Sequence, residues 1–191
     1  MMDHSLPYAR LADVYDGWQG YQTSLVHAIE PLSAEQLRWR PGPQAQSIGE
    51  VVRHLSLGRV TWFARMDAPG SADICAAVPE WEVDGDGNKD VVERALPITD
   101  DAAELVRWLG LTWRMIETTL TSWTVADLGR TYRHRWNGQV YLVSYQWTVW
   151  RILTHDVHHG GELSLMLGLQ GVEAFELSGL FGHITLPPLA D

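Results

Sequence analysis

The chain has 191 residues, 46% of them hydrophobic, which is enough to close one sizeable core and predicts a single domain over residues 1–191. Acidic residues outnumber Lys and Arg by 24 to 14, a formal net charge of -10, and no basic run offers a stripe for phosphates, so nucleic acid is not an expected partner. Cys75 is the single cysteine, the apolar stretches are broken before the ~18 residues of a membrane span, and MMDHSLPYARLADVYD lacks the pattern of a secretory leader; the expectation is a cytoplasmic protein with no disulfide and no membrane segment.

Leu11, Val14, Tyr15, Trp18, Tyr21, Leu25, Val26 and Ile29 recur at steps of three and four, the stripe of an amphipathic helix that runs to about Glu30 and stops at Pro31. Ser33 and Gln36 form a capping-box pattern for a short helical turn, and Arg40-Pro-Gly-Pro-Gln44 reads as a rigid connector. Ser47 and Glu50 repeat the capping box and start a second long helix, which carries His54 and ends before Pro69 and Gly70. From Asp67 to about Pro97 the pattern dissolves, and this stretch is predicted to be a long loop, with DGDGN as a solvated segment that lacks the full order of a calcium loop.

Thr99, Asp100 and Asp101 cap a third helix, in which Leu105, Trp108, Leu109, Thr112, Met115, Ile116 and Leu120 keep helical spacing. Between Arg130 and Leu142, alternating residues meet across Asn137-Gly138, the dipeptide of tight type I′ turns, which predicts a small hairpin. A fourth helix starts near Val143 or Ser144 and holds through Leu169, with Gly171 as its stop. The predicted fold is therefore all-α: a four-helix bundle with a long crossover connection and a small hairpin. Of the ten tryptophans, Trp18, Trp62, Trp108, Trp113, Trp147 and Trp150 fall inside helical patterns and read first as core rings, with a pocket wall or a subunit interface as the other use.

His155 and His159 lie four residues apart, so on a helix their imidazoles rise from one face and can chelate one ion. Such a pair also arises by chance on exposed faces, and His54 alone reads as a core histidine with a hydrogen-bond partner. The three together point elsewhere, because bundles build metal sites from inward side chains on facing helices, and three protein ligands leave a coordination position open. His158 projects roughly 100° away from its neighbour on a helix, although it remains an alternative to His159 as a ligand. Gly160 and Gly161 are poor helix formers in mid-helix, which close helix packing would explain.

Among the acids, Asp156 points to another face and Glu50 is taken by its cap. Glu162 is the candidate catalytic residue, as the carboxylate that accepts a hydrogen bond from a ligand histidine, with a solvated surface glutamate as the alternative. Asp13, Tyr15, Trp18 and Gln22 could reach the open side of the bundle, but their spacing assigns them no role.

SIGEVVRHLSLGRVTWF and LTHDVHHGGELSLMLGLQG resemble the two signature helices of the DinB/YfiT-like family, and the likeness extends through the LSAEQLRWRPGPQAQSIGE connector. The resemblance implies a DinB-like bundle that holds one divalent metal through His54, His155 and His159. Gly160 departs from the family pattern, which often has an arginine there. The resemblance further implies an enzyme that activates a low-molecular-weight thiol such as mycothiol, bacillithiol or glutathione for transfer to a small electrophilic substrate. Metal-dependent hydrolysis by bound water is the second reading. The third is a non-catalytic, stress-associated binding bundle in which the metal is absent or structural, closed off by a fourth ligand such as His134 or His183. Zinc, nickel, manganese and iron all accept imidazole, with zinc or nickel taken first. Family members often pair, which, with the tryptophan content, predicts a homodimer.

Overall fold

In the computed structural model, residues 10–172 are described, and among them the chain is mostly helical. In chain order the elements are α1 (Leu11–Val14), α2 (Gly17–Ile29), α3 (Ala34–Arg38), α4 (Ile48–Arg65), α5 (Ser71–Ala77), β1 (Trp81–Val83), β2 (Lys89–Val91), α6 (Ala102–Ser122), β3 (Thr131–Trp136), β4 (Gln139–Ser144) and α7 (Tyr145–Leu169). The strands form two separate antiparallel hairpins, β1 with β2 and β3 with β4. None of the described helices is long and apolar enough to cross a membrane.

The caps form as the spacing predicts. Ser33 and Gln36 exchange side-chain and backbone bonds at the start of α3. At α4 the Ser47 Oγ accepts from the Glu50 N–H at 3.2 Å while Glu50 Oε2 accepts from the Ser47 N–H at 2.8 Å, so two orphan donors are satisfied reciprocally. Arg40 ties the connector to this cap, donating to Glu50 Oε1 and to the Ala45 carbonyl, both at 2.7 Å. The Arg40 bond is the main reason the Glu50 carboxyl is held below its ordinary range. Asp101 caps α6 by accepting from the Glu104 N–H. Ser144 does the same for α7 through the Trp147 N–H. Beyond α7, Gly171 takes φ 71°, and the Val172 N–H returns to the Leu167 carbonyl. This left-handed closure suits glycine, which has no Cβ to clash.

Three expectations need correction. The single helix from Leu11 to Glu30 is broken: Tyr15 leaves the helical region at φ -112° and ψ 30°, and the Asp16-Gly17 step that follows joins two weak helix formers. The short α1 is instead pinned by the Leu11 N–H on the Trp123 carbonyl and by a bridge between Arg10 and Thr124.

The long loop from Asp67 to Pro97 is ordered, holding α5, the first hairpin and a 3-10 turn at Glu93–Ala95. DGDGN is not simply solvated either. Asp84 Oδ1 accepts from the N–H groups of Asp86 and Asn88, an Asx-type turn that closes the β1–β2 hairpin. Asp86 accepts from the N–H groups of Asn137 and Gly138, and Asn88 exchanges two bonds with the Arg135 backbone. The acidic run therefore fastens one hairpin turn to the other. That second turn is the Asn137-Gly138 pair, with φ 51° and 75°, the doubly positive geometry of type I′.

The third correction concerns tryptophan. Trp18 and Trp108 are each 2% exposed, as core rings should be, whereas Trp147 and Trp150 are 38% and 56% exposed.

The chain forms two compact units. The first takes in the stretch ending at Tyr15, residues 56–97 and residues 111–154. Its buried apolar residues include Phe63, Met66, Met115, Ile116, Val149 and Ile152, and the Tyr145 hydroxyl donates to the Met66 carbonyl at 2.8 Å. Trp123 stacks on Tyr145 with 4.8 Å between ring centroids. The second unit takes in residues 16–55, 98–110 and the stretch from His155 onward. Its core is an apolar cluster that includes Leu25, Ile29, Leu37, Ile48, Val51, Leu55, Leu105, Leu109, Leu163 and Leu167. All three candidate metal ligands belong to this second unit.

Candidate metal centre

His54 stands one turn beyond the Glu50 cap on α4, and His155 and His159 stand one turn apart on α7. The structure brings the three together. His54 Nε2 and His155 Nε2 face each other at 3.1 Å. The ring centroids lie 5.0 Å apart for His54 and His155, 5.0 Å for His54 and His159, and 4.5 Å for His155 and His159. One ring nitrogen from each lies within 4.8 Å of the other two. A tetrahedral ion with Zn–N bonds of ~2.0–2.1 Å holds its ligand nitrogens roughly 3.3 Å apart, so the three rings need only small rotations to close on one ion.

The donor chemistry agrees with that geometry. Two imidazole nitrogens at hydrogen-bonding distance require a proton on one of them, or else a cation between two lone pairs. His159 is the most enclosed of the three, at 9% exposure, and burial holds its pKa below the ordinary histidine value against an upward pull from Glu162. The neutral form of its ring, the form that can ligate, is thereby favoured. Its Nδ1 lies 2.9 Å from Glu162 Oε2. With Nδ1–H donated to that carboxylate, Nε2 is the atom that carries the lone pair. The residues present fit a divalent ion held by three neutral nitrogens.

His158 is exposed and lies outside the trio. With His159 and Glu162 it makes a second group of clustered ligand atoms, in which His159 and Glu162 are already bonded to each other. His134 is buried against Trp62 and Trp136, with centroids at 5.4 and 4.2 Å, and is not part of either group. His183 lies outside the described residues. Gln22 is buried and donates to the Leu109 carbonyl, Asp13 is exposed and Tyr15 is half-buried. Gly160 is buried, but Gly161 is exposed and a Cβ there would meet nothing within 4 Å among the described residues, so close packing against them does not account for it.

From its helical position Asp156 is expected to point away from the face that carries His155 and His159. It does, and that other face is buried: Asp156 is 0% exposed, and its Oδ2 accepts from Trp18 Nε1 at 2.8 Å. Ile152, Asp156, His159 and Leu163 follow one another at helical spacing and are all buried, so a carboxylate in line with apolar neighbours was the available signal.

Residues 19–163 match the family model of the DinB superfamily, whose members bind metals in general. Among solved structures, the chain is similar to a DinB-like protein from Bacillus cereus ATCC 10987, with a TM-score of 0.58 and 14% sequence identity over 96% of this chain and 99% of that one. At that identity the likeness speaks for the fold alone. No curated protein matches the chain. With most of its length covered by the family model, the chain belongs to the DinB superfamily.

Proposed function

We propose that His54, His155 and His159 hold one divalent metal ion, zinc or nickel, and that the site activates a low-molecular-weight thiol for transfer to a small electrophilic substrate in the cytoplasm. The observation that carries this reading is the convergence of three imidazoles from α4 and α7, with no fourth His, Cys, Asp or Glu in the group among the described residues. Three protein ligands are the pattern of catalytic rather than structural sites. The reading also takes the protein as one domain in which α2, α4, α6 and α7 form a four-helix bundle, in keeping with the family match across residues 19–163.

When bound, such an ion would stabilise the conjugate base of a thiol or a water and so supply a nucleophile near neutral pH. The chain's own residues have distinct parts in this scheme. His54 and His155 supply facing nitrogens, and burial favours the neutral form of His159. Glu162 holds the proton at His159 Nδ1 and is a positioning residue, since it acts through the ring and not on the substrate. In the transfer itself a sulfur–carbon bond forms as the substrate's leaving group departs with its electron pair. The preference for a thiol over water rests on the family resemblance.

The test is a pair of rate series over one panel of electrophiles, esters and amides, with metal alone and with metal plus mycothiol, bacillithiol or glutathione. The proposal expects turnover only where metal and thiol are both present. Thiol-independent cleavage that rises with pH would assign a hydrolase. Silence in both series, with four protein ligands seen by X-ray absorption, would assign a structural metal. The same reading takes the protein as a homodimer, supported by the exposed rings of Trp147 and Trp150, which suit an aromatic interface anchor. A monomer mass independent of concentration in sedimentation would exclude it.

A further inference from the structure

The turn of α7 that presents His155 and His159 is poorly equipped to hold its own shape. Gly160 and Gly161 follow the second histidine, and glycine leaves the helical backbone more freedom than any other residue. Among the described residues nothing packs where a Gly161 Cβ would sit, so none of their side chains restrains that position. A metal site, however, needs its ligands held within roughly 0.5 Å and 10–20° of the binding geometry.

The restraint comes from α2. Trp18 and Tyr21 are three residues apart and share a face of that helix. Trp18 Nε1 donates to Asp156 Oδ2 at 2.8 Å, on the residue that directly follows one ligand and lies three before the other. The Tyr21 hydroxyl lies 3.2 Å from the Asp156 carbonyl oxygen and 3.3 Å from that of Val157. In an α-helix those two carbonyls are the acceptors for the N–H groups of Gly160 and Gly161. The polar contacts from α2 therefore fall between the ligands and on the two carbonyls that serve the glycine pair.

We infer that Trp18 and Tyr21 are positioning residues for the metal centre. Through Asp156 and the carbonyls of residues 156 and 157 they set the rotation and stiffness of the ligand turn, and with it the affinity of His155 and His159 for an ion that neither residue touches. The inference rests on the three-histidine reading and adds α2 to the machinery of the site.

Tyr21→Phe removes only the hydroxyl, and Trp18→Phe removes the indole N–H. Ser33→Ala, which removes the α3 cap, serves as a control that weakens the same unit away from the ligand turn. Two quantities are measured: zinc affinity by competition with a chromogenic chelator, and amide exchange in metal-free protein. Tyr21→Phe and Trp18→Phe are each expected to weaken zinc binding by about tenfold or more, the usual effect of losing a group that orients a ligand. Tyr21→Phe should also speed exchange at Gly160 and Gly161 without metal. Ser33→Ala should lower the melting temperature and leave zinc affinity unchanged. If the two aromatic variants behave like Ser33→Ala while the wild type binds zinc, the inference is overturned and the three-histidine reading stands. If the wild type binds no zinc, both are overturned.

Discussion

His159 Nδ1 and Glu162 Oε2 lie 2.9 Å apart along α7, so the most enclosed of the three candidate ligand histidines is oriented by a carboxylate from its own helix. The bond selects the tautomer with its lone pair on Nε2 and raises the basicity of that nitrogen. Glu162→Ala should weaken metal binding by about 10- to 100-fold, whereas Glu162→Gln, which keeps an oxygen acceptor, should lose less. A competition titration reads both. Wild-type affinity in Glu162→Ala would mean that the carboxylate is only a surface group.

His134, which is not one of the candidate ligands, supplies a pH dependence of its own. Burial, reinforced by the charge of Arg65, holds its pKa below the ordinary histidine value. In the folded protein it stays neutral over a range in which the unfolded chain takes up a proton. The unfolded state then binds more protons, so stability is lost as pH falls from about 6.5 toward the lower folded value. His159 shifts in the same direction, so His134→Gln should flatten the dependence of melting temperature on pH between about 5 and 7 without abolishing it. Melting curves with a chelator present check this, and an unchanged slope would count against it.

Two glycines with opposite surroundings give a paired stability test. A Cβ at Gly161 in mid-helix meets none of the described residues within 4 Å, so Gly161→Ala should stabilise the fold by ~1 kcal/mol. A Cβ at Gly49 would collide with the Thr99 backbone carbonyl, which cannot move aside as a flexible side chain can. Gly49→Ala should therefore cost about 1–3 kcal/mol or more. Denaturant midpoints for the two variants should move in opposite directions.

Legibility in the sequence followed how local the determining physics was. Ser47 with Glu50, and Asn137 with Gly138, act within four residues, and both form as their spacing predicts. The convergence of His54 with His155 and His159 spans 101 residues at its closest contact, yet the i, i+4 pair and the resemblance pointed to it. The first hairpin had no such signal. Its strands are three residues each, too short to show an alternation, and its turn is held by Asp84 locally and by bonds from Asp86 and Asn88 to the turn of the second hairpin. Asp156 was legible as facing away from the ligands, but not as buried, because that depends on Trp18 lying opposite it on α2. The tryptophans mislead for a related reason: helical spacing puts Trp150 on a face of α7 without saying what covers that face.

The central claim is that three histidines hold one ion, and the most direct test is the metal content and affinity of the protein, purified without a histidine tag, beside its single-alanine variants. The account predicts one ion per chain in the wild type, most of the affinity lost in each of His54→Ala, His155→Ala and His159→Ala, and binding retained in His158→Ala. A wild type with no stoichiometric metal and no affinity for added zinc or nickel, or equal losses in the His158 and His159 variants, would contradict it.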